Sequence, residues 1–337
     1  MKVSLIIPCY NEEKNIQDLL AAVCEQNFPL TDLEVIIADG MSSDKTREKI
    51  QEFIGSVPEL SVRVIDNPNR SIPSALNLAL EAAVGEYIMR MDAHSQPHPN
   101  YIRYCLKALE ENKGDNVGGM IRVKQKDQGW IAQSIAVAAS HPLGVGDARY
   151  RTGTKAEEVD TVPFGAFHSS LIDKVGGFDE SLLCNEDYEF NARIRKMGGK
   201  IWLDPEIKAS YISRSTLTDL AAQYWRYGFW KAKMLIQYPR TLRWRQLAGL
   251  FVLSWFVWGS LSIWFTWARR LLIAQAIVYI GALLFAGIKS ALDKKKLYLV
   301  IGLPLAISTM HFSWGTGFLW SLIRLISDKI VRKSTQD

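Results

Sequence analysis

The stretch EYIMRMDAHSQPHPNYI (86–102) decides how this chain folds. Tyr87 to Met91 is a short apolar run of strand length, and it stops abruptly at Asp92-Ala93-His94. The same pattern precedes it three times. VSLIIP (3–8), LEVIIA (33–38) and SVRVI (61–65) read as strands. Between them lie helical patterns. Residues 12–26 carry Ile16, Leu19, Leu20 and Val23 at helical spacing, a second helix opened by Asp44 carries Ile50, Phe53 and Ile54, and residues 73–84 form a third that Gly85 closes. Strands that are nearly continuous apolar runs, alternating with helices, predict an α/β unit whose mostly parallel sheet is covered on both faces.

Ligands of such sheets bind at the carboxyl ends of the strands. The polar residues gather there: Tyr10-Asn11-Glu12 after the first strand, Asp39 after the second, Asp92 and His94 after the fourth. No Gly-x-Gly-x-x-Gly and no phosphate-loop Gly-Lys-Ser occurs, which argues against ordinary dinucleotide and P-loop readings. Further along, residues 160–172 have strand character, GGFDE (176–180) is a turn, 185–199 is a helix and KIWLDP (200–205) is another strand. Residues 115–240 thus read as an elaboration of the same domain, ending in an amphipathic interfacial helix at about 215–240.

Beyond residue 240 the character changes. Charges thin out and tryptophan-rich apolar runs dominate. Leu247–Ala268 is uncharged and long enough to span a bilayer. Leu271–Gly287 could pair with it as a hairpin through Arg269-Arg270, and Leu297–Ile323, which holds Pro304, Gly315 and Gly317, is either one kinked span or a re-entrant pair. Arg269-Arg270, Lys294-Lys295-Lys296 and Arg332-Lys333 flank these runs as at a membrane border. The expected division is a catalytic domain at 1–240, a membrane domain of two to four helices at 241–330 and a basic tail at 331–337, in a multi-pass protein whose catalytic domain faces the cytoplasm. The net charge of +5, from 40 basic and 35 acidic residues, is too slight to imply nucleic acid. Cys9, Cys24, Cys105 and Cys184 have neither metal-type nor disulfide-type spacing and read as reduced thiols.

Several residue groups carry chemistry. Asp92 and His94, alternate residues past a strand end, could share one ion, and oxygen plus nitrogen ligation suits Mn²⁺ or Mg²⁺. The triplet is equally the polar end of a buried strand, and its place at the crevice favours the ion. His98, between two prolines, reads as a loop residue. Asp39 either accepts from a base or ribose, or caps the loop of residues 40–43. Tyr10 could stack on a base, and Glu12 could favour a helix start. Glu186-Asp187 is either a candidate general base or a solvated pair at a helix N-terminus. Gln223, Arg226 and Tyr227 precede the first apolar run, placed either to meet a diphosphate and sugar or to anchor an interfacial helix.

Together SLIIPCYNEE (4–13), EVIIADGMSSDKT (34–46), NRSIPSALNLAL (69–80), GEYIMRMDAH (85–94), GGFDE and NEDYEFNARIRKMGGKIWLDP (185–205) resemble the family 2 glycosyltransferases over roughly residues 1–230. The resemblance implies the GT-A fold. It implies that Pro8, Tyr10, Glu12 and Asp39 hold the nucleotide, that Asp92 and His94 replace the usual Asp-x-Asp at nucleotide and metal, and that Asp187, with Glu186 beside it, is the catalytic acid residue. The Gln-x-x-Arg-Trp signature of processive synthases is partly matched, with Tyr227 in place of Trp. The wording looks most like bacterial exopolysaccharide glycosyltransferases of the succinoglycan type. The implied activity is inverting, metal-dependent transfer from a nucleotide-diphosphate sugar, with UDP expected, to a polyprenyl-linked saccharide at a membrane. A polyprenyl-phosphate sugar synthase and a non-catalytic nucleotide-sugar-binding module are the alternatives.

Overall fold

The structure, a computed structural model, describes residues 1–125, 128–243 and 247–334. By its internal contacts the chain divides into two units. The first comprises Met1–Arg122 and Ala148–Ile212, the second Val123–Asp147 and the chain from Ser213 onward. The division therefore falls elsewhere than at residue 240. The expected interfacial helix, observed at Leu217–Gln237, and an earlier segment both group with the apolar helices.

The first unit is built on a sheet that has nine strands among the described residues: β1 (Val3–Cys9), β2 (Leu33–Asp39), β3 (Ser61–Asp66), β4 (Tyr87–Arg90), β5 (Ser95–Pro97), β6 (Asn116–Lys124), β7 (Glu157–Glu158), β8 (Ala166–His168) and β9 (Ile201–Ile212). Their order is β3-β2-β1-β4-β8-β6-β9-β5, with β7 on β9. The first four strands are parallel, in a register that levels their ends: Cys9 lies opposite Asp39, and Asp39 opposite Asp66. Alternate residues split between two cores. Leu5, Ile7, Val35 and Ile37 pack with Leu19, Leu20 and Val23 of the helix Ile16–Cys24. Ile6, Ile36 and Ala38 pack with Leu76 and Ala79 of the helix Ile72–Ala82 and with Phe190 and Ile194 of the helix Glu186–Lys196. Burial of both faces is what the continuous apolar runs encode.

The sheet is more mixed than the sequence pattern suggests. β4 with β8, β6 with β8, β5 with β9 and β7 with β9 are antiparallel. β9 alternates buried and half-exposed residues, as a strand covered on one face does. It runs on past Pro205, where the sequence reading stopped it. The expected strand at 160–172 shrinks to β8, because Phe164 adopts a left-handed φ of 52° that no regular strand accommodates.

The second unit is helical. Trp130–Ala138, Leu217–Gln237, Ala248–Leu261, Thr266–Lys294 and Leu299–Ser334 are its longer helices, and Ile135, Leu220, Leu283, Leu303, Ile307 and Met310 form its core. Three expectations change here. The span expected at 247–268 breaks after Leu261, and its 14-residue helix is too short to cross a bilayer alone. Arg269-Arg270 lie in the first turns of the next helix rather than in a hairpin loop. The last helix continues through Pro304, so no re-entrant break occurs. Two helices, Thr266–Lys294 and Leu299–Asp328, are long and apolar enough to cross a membrane. The first carries Val278 at 72% and Phe285 at 71% exposure, apolar surface that water does not favour. Small residues let the helices touch. A Cβ at Gly228 would lie 2.0 Å from the Trp314 carbonyl, and one at Gly317 2.2 Å from that of Trp225.

Candidate active site

At the strand ends two loops are laced together. The N–H of Asn11, itself at a left-handed φ of 54°, donates to the Ser42 hydroxyl at 2.8 Å, and the Ser43 N–H returns a bond to Asn11 Oδ1 at 2.8 Å. The Glu12 N–H donates to Thr46 Oγ1 at 2.7 Å and the Glu13 N–H to Asp44 Oδ2 at 3.2 Å. Asp39 underlies this lattice. It is fully buried, and it accepts from the Ser42 hydroxyl at 2.5 Å, the Ser42 N–H at 3.0 Å and Arg47 Nε at 2.5 Å. Of its two sequence readings, the structure displays the loop cap. These three bonds leave one of the carboxylate's about four acceptor positions unfilled. Arg47, unnoticed in the sequence, also pairs with Asp66 at 2.5 Å. Tyr10 is exposed, its ring against Gly40, where an added Cβ would lie 3.2 Å away. Pro8, opposite Ala38, is half-buried on the same strand.

One turn past β4, His94 Nδ1 meets Glu12 Oε1 at 2.9 Å, and the second oxygen of Glu12 accepts from Asn15 at 2.6 Å. An ionised carboxylate only accepts, so Nδ1 donates to it, and in the neutral ring Nε2 then carries the lone pair. The His94 ring packs edge-on to Tyr211 at 5.2 Å. This is the support a metal-binding histidine ordinarily has. No cluster of three or more His, Cys, Asp or Glu suited to a metal occurs among the described residues. An Asp92–His94 pair nevertheless fits Mn²⁺ or Mg²⁺ where substrate phosphates complete the shell. His98, by contrast, is an exposed turn residue whose Nδ1 accepts the Asn100 N–H at 3.4 Å.

The residue that joins the two halves of the site is Arg90, at the end of β4 and 3% exposed. Its Nη2 donates to Asp92 at 2.9 Å and to Glu186 at 2.8 Å, and its Nη1 bonds to Asp187. Burial alone would lower its pKa, but Asp187, Asp92 and Glu186 outweigh that and hold it well above the ordinary arginine range. Burial pushes the Asp187 carboxyl up to about 7; Arg90 opposes the rise, while Glu186 and Asp92 add to it. Glu186 is buried and turned onto Arg90, whose guanidinium it shares with Asp187. A carboxyl poised near neutrality, partly open to solvent and held in place by an arginine, is suited to accept a proton.

Arg90 was missed in the sequence, although a signal was there. A cation inside a buried apolar strand has to find counter-charges. Cys9, beside Asp39, is also buried, and burial raises its thiol far above the range of a nucleophile. Gln223, Arg226 and Tyr227 belong to the second unit. Gln223 donates to the Tyr227 hydroxyl at 3.0 Å along their own helix, and Arg226 is exposed.

Residues 4–176 match the family described as Glycosyl transferase family 2. The chain is 29% identical to the succinoglycan biosynthesis protein ExoA of Rhizobium meliloti, over 95% of this chain and 94% of that protein. It is also 29% identical, over 96% of this chain and 97% of the relative, to a dolichyl N-acetyl-alpha-D-glucosaminyl phosphate 3-beta-D-2,3-diacetamido-2,3-dideoxy-beta-D-glucuronosyltransferase of Methanococcus voltae. Among solved structures it is similar to the mannosyltransferase PcManGT from Pyrobaculum calidifontis in complex with GDP-Man and Mn²⁺, with a TM-score of 0.59 and 20% identity over 95% of this chain and 87% of that one. It is also similar to S. aureus TarS in complex with UDP, with a TM-score of 0.50 and 19% identity over 93% of this chain and 90% of that one. At those identities the structural likeness concerns the fold.

Proposed function

The chain belongs to glycosyl transferase family 2 and is a glycosyltransferase of the GT-A fold, and from that premise we propose that it moves a sugar from a nucleoside diphosphate sugar to a hydroxyl of a lipid-linked saccharide, with inversion. The observation that carries this reading is the Asp187 carboxyl, raised to about 7 and fixed by Arg90 next to Asp92. The donor's diphosphate lies over the strand ends, with Tyr10 against the base. Asp92 and His94 would hold the divalent cation, which, when bound, neutralises charge on the leaving diphosphate. Asp187 takes the proton of the acceptor hydroxyl, whose oxygen attacks the anomeric carbon from the face opposite the diphosphate. A single displacement inverts that carbon.

A lipid-linked acceptor accords with two helices able to cross a membrane and with the name of the Methanococcus voltae relative, which includes a dolichyl phosphate sugar. UDP is the expected carrier; the solved neighbours bind UDP and GDP-Man. We place the protein in the cytoplasmic membrane, with its catalytic unit facing the cytoplasm.

The test is a screen of nucleotide sugars for nucleotide release with membrane lipid extract, followed by analysis of the labelled product. A new glycosidic bond on a lipid-linked sugar supports the proposal. A monophosphate link supports a polyprenyl-phosphate sugar synthase, and tight binding without turnover over a broad acceptor panel supports a binding module. EDTA should abolish transfer and added Mn²⁺ restore it; full activity in metal-free buffer would remove the cation's role. Glu12→Ala should weaken Mn²⁺ affinity by about 10- to 100-fold through loss of the His94 support. Unchanged Mn²⁺ affinity in a titration of that variant would place the ion elsewhere.

A further inference from the structure

We infer that Arg151 is a cationic contact for the donor's diphosphate, on the flank of His94. The inference rests on the nucleotide-sugar reading above and names a residue for it. Besides the exposed Arg70 in the loop after β3, two guanidiniums stand at the strand ends. Arg47 is neutralised by Asp39 and Asp66, and Arg90 by Asp92, Glu186 and Asp187, so neither can take up a phosphate without giving up an ion pair. Arg151 differs. Its Nη1 donates to the Ile121 carbonyl at 3.3 Å, and no carboxylate lies within ion-pair distance of it among the described residues.

Arg151 is also held in place. Its guanidinium lies over the Tyr211 ring, 5.5 Å from the centroid, and 5.7 Å from that of Tyr150. Tyr211 is the ring packed against His94, and it pairs across the sheet with Ser95, the residue that follows His94. A guanidinium lying over an aromatic face keeps its N–H edge available, and that edge matches two phosphate oxygens. Half-buried positive charge without a counter-ion favours an anion there. Arg149, two residues earlier on the same short helix, is the contrast. It is exposed and pairs with Glu157 at 3.3 Å.

The experiment compares calorimetric binding of UDP and GDP with that of uridine and guanosine, using the full chain and its variants. Arg151→Met should weaken the nucleoside diphosphate by roughly 10- to 100-fold and leave the nucleoside unchanged. Arg151→Gln, which keeps a donor for the Ile121 carbonyl, carries the same expectation should the methionine variant fold poorly. Arg149→Met should bind like the wild type. Unchanged diphosphate affinity in the Arg151 variants, or equal losses for nucleoside and diphosphate, would overturn the inference while leaving the donor reading intact. A wild-type protein that binds neither UDP nor GDP would overturn both.

Discussion

Replacing Asp187 with asparagine stops sugar transfer, lowering kcat by about 10²- to 10⁴-fold, the range that a positioned general base contributes, while nucleoside diphosphate affinity is retained. The amide keeps an oxygen for Arg90 and so preserves the geometry, but it cannot accept a proton at neutral pH. Because burial lifts this carboxyl to about 7, the wild-type enzyme should show a matching pH limb. The active form is the carboxylate, so kcat/KM, which reports the free enzyme, rises with pH up to about that value and then levels. The asparagine variant lacks the limb. The sign for stability is opposite. A carboxyl whose pKa is raised by folding contributes stability at acid pH, and that contribution is lost as pH rises through about 7. Asparagine stays neutral, so the variant's Tm at pH 8 should equal or exceed that of the wild type. Near-normal turnover would refute the assignment of the base.

Arg90→Met should be the most damaging single substitution in the catalytic unit. Methionine fills the space of the stem but leaves Asp92, Glu186 and Asp187 facing one another without a cation. Stranding buried charge in this way costs about 3–5 kcal/mol, which for a unit of this size lowers Tm by about 10 °C. The deficit should shrink at pH 5, below the pKa of Asp187, and transfer should be lost at every pH. Arg90→Lys should also fail to transfer, because one ammonium cannot present the flat fork that reaches three carboxylates. A methionine variant that melts with the wild type at pH 8 would show that these acids are not held as a cluster.

The parallel half of the sheet was legible because β1 and β2 bury both faces and are apolar apart from Ser4 and Glu34, which bond to each other at 2.5 Å, and Asp39 at a strand end. Asp92, His94 and Asp187 were legible for a related reason: polar side chains at the end of an apolar run, or at the first turn of a helix, have few places to go. Long-range pairing was not legible. Arg90 and Glu186 are 96 residues apart, and nothing local in either segment names the other. Asp39 offered two local readings, and the bonds of the loop cap became visible only with Ser42 and Arg47 in place around it. In the apolar region the chain turns at Ser262, whose hydroxyl donates to the Gly259 carbonyl at 2.7 Å. No proline marks that break, so an uninterrupted apolar run read as one span. Arg151 carried no sequence signal at all, since its environment is made by Tyr211 on a distant strand.

A structure of the protein with Mn²⁺ and an intact, slowly reacting nucleoside diphosphate sugar would decide whether one donor joins these separated loops. The diphosphate and ion should lie at Asp92 and His94, with the base against Tyr10 and the Asp187 carboxylate on the side of the anomeric carbon away from the diphosphate. A donor bound elsewhere, or bound there with Asp187 on the far side of the protein from its anomeric carbon, would leave the proposed transfer without a site.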